Sequence, residues 1–285
     1  MGDHILATCR SKDLKPAILC DLDGVVWLSH DPIPGSVEAI AALRAAGHRV
    51  LFVTNNSYSL IASQEHTLAK IGVPSVGDVL SSSGAAATLL HAGQRVLVAG
   101  GPGVVEAVEQ AGAIVVGRTD DDLDEASAQS NDVNIDAVVV GFHKTFDFES
   151  MRRASAAVRA GATLIGTNQD ATFPTSNGVI PGGGSILAAI ATASGVAPIV
   201  AGKPYVPMGE LVKRTLNVDD LSECWMVGDR FSTDGMFAKN IGAKFCLVTS
   251  GVKTQEQANQ LQQQHKFALV ANDLRHFAQH LGVTV

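Results

Sequence analysis

A run of apolar residues, Ala17-Ile18-Leu19-Cys20, ends abruptly in Asp21-Leu22-Asp23-Gly24. Two carboxylates two residues apart resist ionising beside one another. A chain that sets them at the end of a buried strand must bring solvent, a cation or both to that point. An open α/β sheet offers such a place, because ligands bind in the crevice beyond the carboxyl ends of its strands. Alone, Asp-x-Asp-Gly also reads as a polar strand-to-loop turn, where Asp and Gly are common. The rest of the chain decides between the two.

The pattern recurs. Arg49-Val50-Leu51-Phe52-Val53 runs into Thr54-Asn55-Asn56-Ser57, and Pro198 to Ala201 runs into Gly202-Lys203-Pro204. Glu223 to Val227 leads into Gly228-Asp229-Arg230, and Lys244 to Val248 into Thr249-Ser250-Gly251. Helical spacing fills the intervals. Val37, Ile40 and Leu43 share a face behind a capping Ser36 and before Gly47, and Ile61, Leu68 and Ile71 share one within 59–71. Two more helices are expected over 254–265 and 273–281. This alternation predicts right-handed βαβ units and a parallel sheet, an α/β fold. A second set of alternating units occupies the middle of the chain. Its strands are expected at 95–99, 113–116, 136–141 and 162–166, and its helices at 83–91, 104–110, 148–159 and 185–193. The acidic run from Thr119 to Glu125 reads as a solvated loop.

Composition excludes several classes. A formal net charge of −7 disfavours a nucleic-acid partner held on a basic face. No stretch approaches the ~20 apolar residues that span a bilayer, and Met1 to Lys15 carries no apolar signal region. Cys9, Cys20, Cys224 and Cys246 form no Cys-x-x-Cys pair, so free thiols in a reducing cytosol are expected.

Four strand ends therefore carry chemistry: Asp21 with Asp23, Thr54 with Asn55 and Asn56, Lys203, and Asp229 with Asp234. In one parallel sheet they would line a single edge. Four carboxylates against one lysine need a cation, and hard oxygen donors suit Mg²⁺, which commonly binds together with phosphate. Phosphoryl transfer needs a nucleophile, charge neutralisation and a positioned acid or base. Carboxylates, the lysine and the metal supply all three.

The ordered set Asp21-Leu22-Asp23-Gly24-Val25, Thr54-Asn55-Asn56-Ser57, Gly202-Lys203-Pro204 and Gly228-Asp229-Arg230-Phe231-Ser232-Thr233-Asp234 resembles the four motifs of the haloacid dehalogenase (HAD) superfamily phosphatases. Pro32-Ile33-Pro34-Gly35 before a helix, the double Asn after Thr54 and Pro181-Gly182-Gly183-Gly184 are similar to its 4-nitrophenylphosphatase/NagD-like branch, subfamily IIA. The resemblance covers about residues 17–252. It implies a Rossmann-like HAD core over 1–82 and 198–285 and an inserted α/β cap of the C2a type over 83–197, which closes over the site and selects the leaving group. It implies Asp21 as the nucleophile that becomes an aspartyl-phosphate, and Asp23 as acid and then base. Mg²⁺ would be held by the Asp21 carboxylate, the Asp23 backbone carbonyl and Asp229, with Asp234 nearby. Thr54 and Lys203 would hold the phosphoryl oxygens, helped by backbone N–H groups near Gly24 and Asn55. A small phosphate ester such as glycerol 3-phosphate or phosphoglycolate is the expected substrate. Pyridoxal phosphatases of the branch tend to carry His where Phe173 stands, which argues against pyridoxal phosphate. A homodimer through the cap is a further expectation.

Other features carry less. Gly100-Gly101-Pro102-Gly103 lacks the third Gly of a dinucleotide fingerprint and the Lys of a P-loop, so it reads as a tight turn. His30 and His143 read as solvated. Arg230 reads either as an ion-pair partner behind Asp229 or as a surface residue. Pro181 to Gly184 reads mainly as a hinge-proximal turn, with a place facing the substrate as the alternative, and the loop from Thr167 to Thr175 as the place for leaving-group contacts. Two rival functions remain. A receiver-like phosphorylation-dependent binding module shares the acid, Thr and Lys set, but it needs only ~120 residues and places its acceptor Asp after the acidic pair. A phosphotransferase or mutase would use the same site.

Overall fold

The computed structural model describes residues 15–121, 134–175 and 178–285. Cys9 and the acidic residues Asp122, Asp124 and Glu125 lie outside the described residues. In chain order the strands are β1 (Ile18–Cys20), β2 (Trp27–Leu28), β3 (Asp31–Pro32), β4 (Val50–Thr54), β5 (Val79–Ser81), β6 (Arg95–Ala99), β7 (Ile114–Arg118) and β8 (Ala137–Val140). They continue with β9 (Thr163–Gly166), β10 (Thr172–Thr175), β11 (Gly178–Pro181), β12 (Ile199–Val200), β13 (Trp225–Gly228), β14 (Lys244–Val248) and β15 (Leu269–Ala271).

Six strands form one sheet in the order β15-β14-β13-β1-β4-β5, with every pair parallel. Every residue of β1 and β4 is buried, as a parallel sheet covered on both faces requires. A second parallel sheet has the order β12-β9-β8-β6-β7. This is the α/β architecture expected from the alternating pattern. One apolar cluster joins the two sheets, holding Leu19, Leu51 and Met226 from the first and Val96, Val139 and Ile165 from the second. Separate clusters cover the far face of each sheet.

The central strand decides where the site falls. Cys20 lies opposite Val227 of β13 on one side and Phe52 of β4 on the other. The carboxyl ends of these three strands therefore emerge side by side, carrying Asp21, Thr54 and Asp229.

The structure corrects several expectations. The strand before Lys203 does not join the sheet that carries Asp21. β12 pairs with β9 of the second sheet, and Ala201 and Gly202 continue that pairing through Gly166 O at 3.0 Å and Thr167 O at 2.7 Å. Two residues carry too little pattern to reveal which sheet they join. Ser36 does not cap its helix. Gly35 is the cap residue, and Ser36 Oγ turns inward to donate to Val26 O at 2.8 Å. Part of the loop expected over 167–175 is strand β10, which forms an antiparallel hairpin with β11. Gly100 to Gly103 is a packing junction. A Cβ on Gly101 would lie 2.2 Å from the Tyr58 ring, and one on Gly103 would lie 2.4 Å from Ser59 O. Those glycines let the helix Pro102–Gln110 press against the loop after β4. Among the described residues, no helix is long and apolar enough to cross a membrane.

Candidate active site

Lys203 is the centre of the constellation. Its Nζ donates to Asp21 Oδ1 at 2.8 Å and to Asp234 Oδ1 at 2.7 Å. Lys203 is 2% exposed and Asp234 fully buried. Burial alone would lower the lysine pKa, but the charges of Asp21 and Asp234 outweigh it, so the ammonium is held protonated more firmly than usual. Burial pushes the Asp234 carboxyl up, and the Lys203 charge opposes that rise. The segment Phe231–Gly235 is a single π-helical turn, and it folds Asp234 back so that its Oδ2 accepts from Arg230 N at 3.2 Å.

Asp229 lies beside this pair. Oxygens of Asp21, Asp229 and Asp234 fall within 4.8 Å of one another. Asp229 Oδ2 accepts from Val252 N at 3.1 Å, while its Oδ1 is buried with no partner among the described residues. Desolvation, with the Asp21 charge adding, raises Asp229 to about 6. An orphaned carboxylate oxygen in an all-oxygen cluster fits a hard divalent cation such as Mg²⁺. Both Asp234 oxygens already accept hydrogen bonds, so Asp21 and Asp229 are the carboxylates suited to hold it.

The pKa of Asp229 gives a signed expectation. Raising a carboxyl from 3.8 to about 6 makes its charged form destabilising by roughly 3 kcal/mol. In metal-free buffer, the folded state then loses stability as pH rises through that window. Asp229→Asn should therefore be more stable than the native chain at pH 7 without metal, with the advantage gone by pH 4. Added Mg²⁺ should stabilise only the native chain. Thermal unfolding with EDTA and with Mg²⁺ across this range measures both. A native chain more stable than the variant at pH 7 without metal would contradict the assignment.

Gly24 makes the close approach of Asp229 possible. Its φ is +83°, and a Cβ there would lie 2.5 Å from Asp229 Oδ2. Gly24→Ala should displace that carboxylate, weaken Mg²⁺ binding by about tenfold or more, and lower stability by about 1 kcal/mol or more. A Mg²⁺ titration followed by isothermal calorimetry tests this. Unchanged affinity would show that the contact is dispensable.

Asp23 is exposed at the mouth of the cleft. Protein packed about its carboxyl group raises its pKa by desolvation, the Asp21 charge adds to the rise, and Trp27 Nε1 holds Oδ1 at 3.1 Å. Thr54 is buried, and its Oγ1 accepts from Asn56 N at 3.1 Å, leaving the hydroxyl proton to be donated elsewhere. Asn55 and Asn56 both line the cleft, yet their side chains are engaged by protein. Asn55 clamps the Lys203 backbone, accepting from its N at 2.9 Å and donating to its O at 3.0 Å. Asn56 Oδ1 accepts from Tyr58 N at 3.0 Å and from Ser59 N at 3.3 Å, fixing the loop. The Arg230 side chain forms no ion pair among the described residues and lines the cleft mouth instead.

The loops around the second sheet supply further groups; motif reading marks the Thr167–Thr175 segment and Pro181 to Gly184 but passes over Phe142. Asp170 accepts from Asn55 Nδ2 at 3.0 Å, and desolvation raises its pKa. Phe142 and Phe173 stack with centroids 4.9 Å apart and line the same cleft, as do Gly182 and Gly183 at the start of the helix Gly183–Ser194. Position alone marks Asp170, since it lies in the segment expected to meet the leaving group. Phe142 follows β8 with no motif around it. His143 is not solvated. It is 5% exposed, lies 3.2 Å from Thr119 Oγ1 and 3.3 Å from Thr145 Oγ1, and burial lowers its pKa. His30 is exposed beside Trp27 and lines the outer part of the cleft.

A strand-end carboxylate, a buried ammonium and an open oxygen site fit for a divalent cation sit together at the carboxyl edge of a Rossmann-like sheet, an arrangement suited to phosphoryl transfer. Comparison with known proteins places it. The profile described as haloacid dehalogenase-like hydrolase matches residues 18–114, and a second profile of HAD-like hydrolases matches 200–277. The D-glycerol 3-phosphate phosphatase of Mycobacterium tuberculosis is 34% identical over 264 residues, covering 90% of this chain and 69% of that protein. Phosphoglycolate phosphatase 2 of Arabidopsis thaliana is 32% identical over 273 residues, covering 90% of each. The solved glycerol phosphate phosphatase of Mycobacterium tuberculosis in complex with magnesium superposes with a TM-score of 0.78 at 30% identity, covering 92% of this chain and 76% of that one. The chain belongs to the haloacid dehalogenase-like hydrolases.

Proposed function

We propose that this chain is a Mg²⁺-dependent phosphomonoester hydrolase of small phosphorylated metabolites, working through an aspartyl-phosphate on Asp21. The observation that carries the reading is the Lys203 ammonium bridging Asp21 and Asp234 beside the orphaned Asp229 oxygen. An Asp21 carboxylate oxygen attacks phosphorus, the bond to the leaving oxygen breaks, and Asp23 gives that oxygen its proton. Asp23 then takes a proton from water, which attacks the same phosphorus and frees Asp21 and phosphate. The raised pKa of Asp23 suits it to both proton transfers. Lys203 and the Thr54 hydroxyl hold the phosphoryl oxygens as charge builds there. Asn55 keeps Lys203 in place. When bound, by the Asp21 and Asp229 carboxylates and the Asp23 backbone carbonyl, Mg²⁺ neutralises phosphoryl charge.

In this reading 1–82 and 203–285 form the catalytic core and 83–202 the cap that covers the leaving group, the boundary expected at 198 moving because β12 pairs with β9. The free cysteines, buried at Cys20, Cys224 and Cys246, support a cytoplasmic setting. A homodimer through the cap belongs to the same proposal. The names of the relatives support glycerol 3-phosphate and phosphoglycolate as first substrates to try. The test is phosphate release across a panel of metabolite esters and 4-nitrophenyl phosphate, with Mg²⁺ and with EDTA. Turnover that EDTA abolishes is expected, and no release from any ester would overturn the reading.

A further inference from the structure

Asn55 is the hub of a hydrogen-bond network that crosses between the two sheets. Its Oδ1 accepts from Lys203 N at 2.9 Å, and its Nδ2 donates to Lys203 O at 3.0 Å. The same Nδ2 also donates to Asp170 Oδ2 at 3.0 Å, which uses both N–H groups of the amide. The Asn55 backbone carbonyl accepts from Ser82 Oγ and from Asn168 Nδ2, each at 2.8 Å. Asp170 is held in turn, because its N donates to Asn168 Oδ1 at 3.0 Å. That bond folds the segment after β9 into a tight turn in which Asn168 and Asp170 both meet Asn55.

The consequence falls on Lys203. The chain before it is bonded to the second sheet up to Gly202, whose N donates to Thr167 O at 2.7 Å. Beyond that point the Lys203 peptide rests on the Asn55 amide, while the ammonium at the far end of the side chain meets Asp21 at 2.8 Å. Rotation of an amide about its last side-chain bond is soft. A carboxylate only accepts, so Asp170 holds the N–H and opposes a swing that would turn Oδ1 towards it. A bond to a charged acceptor is also stronger than one between neutral groups. Asp170 thus belongs to the inserted segment, yet the group it steadies serves the phosphoryl end of a substrate.

We propose that Asp170 is a positioning residue for the Lys203 ammonium, acting through the Asn55 amide. The insert then completes the half of the site that every phosphate ester shares, in addition to covering the leaving group. The inference rests on the phosphatase reading and deepens it to a further residue of the same site.

The test compares Asp170→Asn, whose amide oxygen can still accept from Asn55 Nδ2, with Asp170→Leu, which has a similar shape and no acceptor. Phosphate release is followed from 4-nitrophenyl phosphate and from glycerol 3-phosphate with Mg²⁺. Asp170→Leu should lower kcat/KM by about tenfold or more, the scale of one charge-assisted hydrogen bond. The two esters should lose the same factor to within about twofold, because Lys203 meets the phosphoryl group and not the leaving group. Asp170→Asn should stay within about threefold of the native chain. Asn55→Ala should cost at least as much as Asp170→Leu, and combining the two should cost no more than about twofold further, since Asp170 then has nothing to act through. Thermal unfolding checks that each variant is folded, and Asp170→Ala replaces Asp170→Leu if that variant is not. Vanadate binding with Mg²⁺, followed by calorimetry, ranks the same variants without turnover. A native chain that binds vanadate in this order but hydrolyses no ester would sink the reaction scheme and leave the positioning role standing. Four results would each overturn the proposal: native-like rates and vanadate affinity without an acceptor at 170, an Asn variant as slow as the Leu variant, a loss that differs between the two esters, and losses that multiply in the double variant.

Discussion

Asp21→Asn should release phosphate from any substrate at least ~10⁴-fold more slowly than the native chain while remaining folded. The substitution keeps the shape of the side chain and an oxygen for the Lys203 ammonium, 2.8 Å away in the native site. What it removes is the anionic oxygen that would form the bond to phosphorus. Acid quenching during turnover should trap a phosphorylated native chain and an unmodified variant. Circular dichroism separates lost chemistry from a lost fold. Activity near the native level would show that Asp21 is not the nucleophile.

Lys203→Met is the second large effect, and it acts on stability as well as rate. It strips the cation from Asp234, which is fully buried and accepts from Lys203 Nζ at 2.7 Å. Removing one partner of a buried pair leaves an uncompensated charge and destabilises by about 3–5 kcal/mol. The double variant Lys203→Met with Asp234→Asn should recover much of that loss, because the fully buried Asp234 charge is then no longer stranded. It should not recover activity, because the Asp21 carboxylate still lacks its ammonium. Urea denaturation of the native chain, the single variants and the double variant forms a complete cycle. A single variant within 1 kcal/mol of native would mean that this pair is not a charged one in the native fold.

Asp21, Thr54 and Asp229 were legible in the sequence because each stands at the end of a short apolar run, and burial of the run fixes where its end emerges. What escaped reading is non-local. β12 contributes two residues, and its choice of β9 depends on a strand about thirty-five residues earlier. The burial of His143 depends on Thr119 and Thr145 closing around it, which no periodicity encodes. Asn55 fitted a substrate ligand by position, but its amide faces the peptide of Lys203, 148 residues away in sequence.

The pairing of β12 with β9 has a consequence for any attempt to exchange the insert between relatives. The backbone leading to Lys203 is anchored to the second sheet up to Gly202, and only from Lys203 onward is it gripped by Asn55 of the first. A transplanted insert therefore brings more than a new selectivity for substrates. It must also present an edge strand in matching register, or the ammonium drifts from Asp21 and the chimera folds around a silent centre.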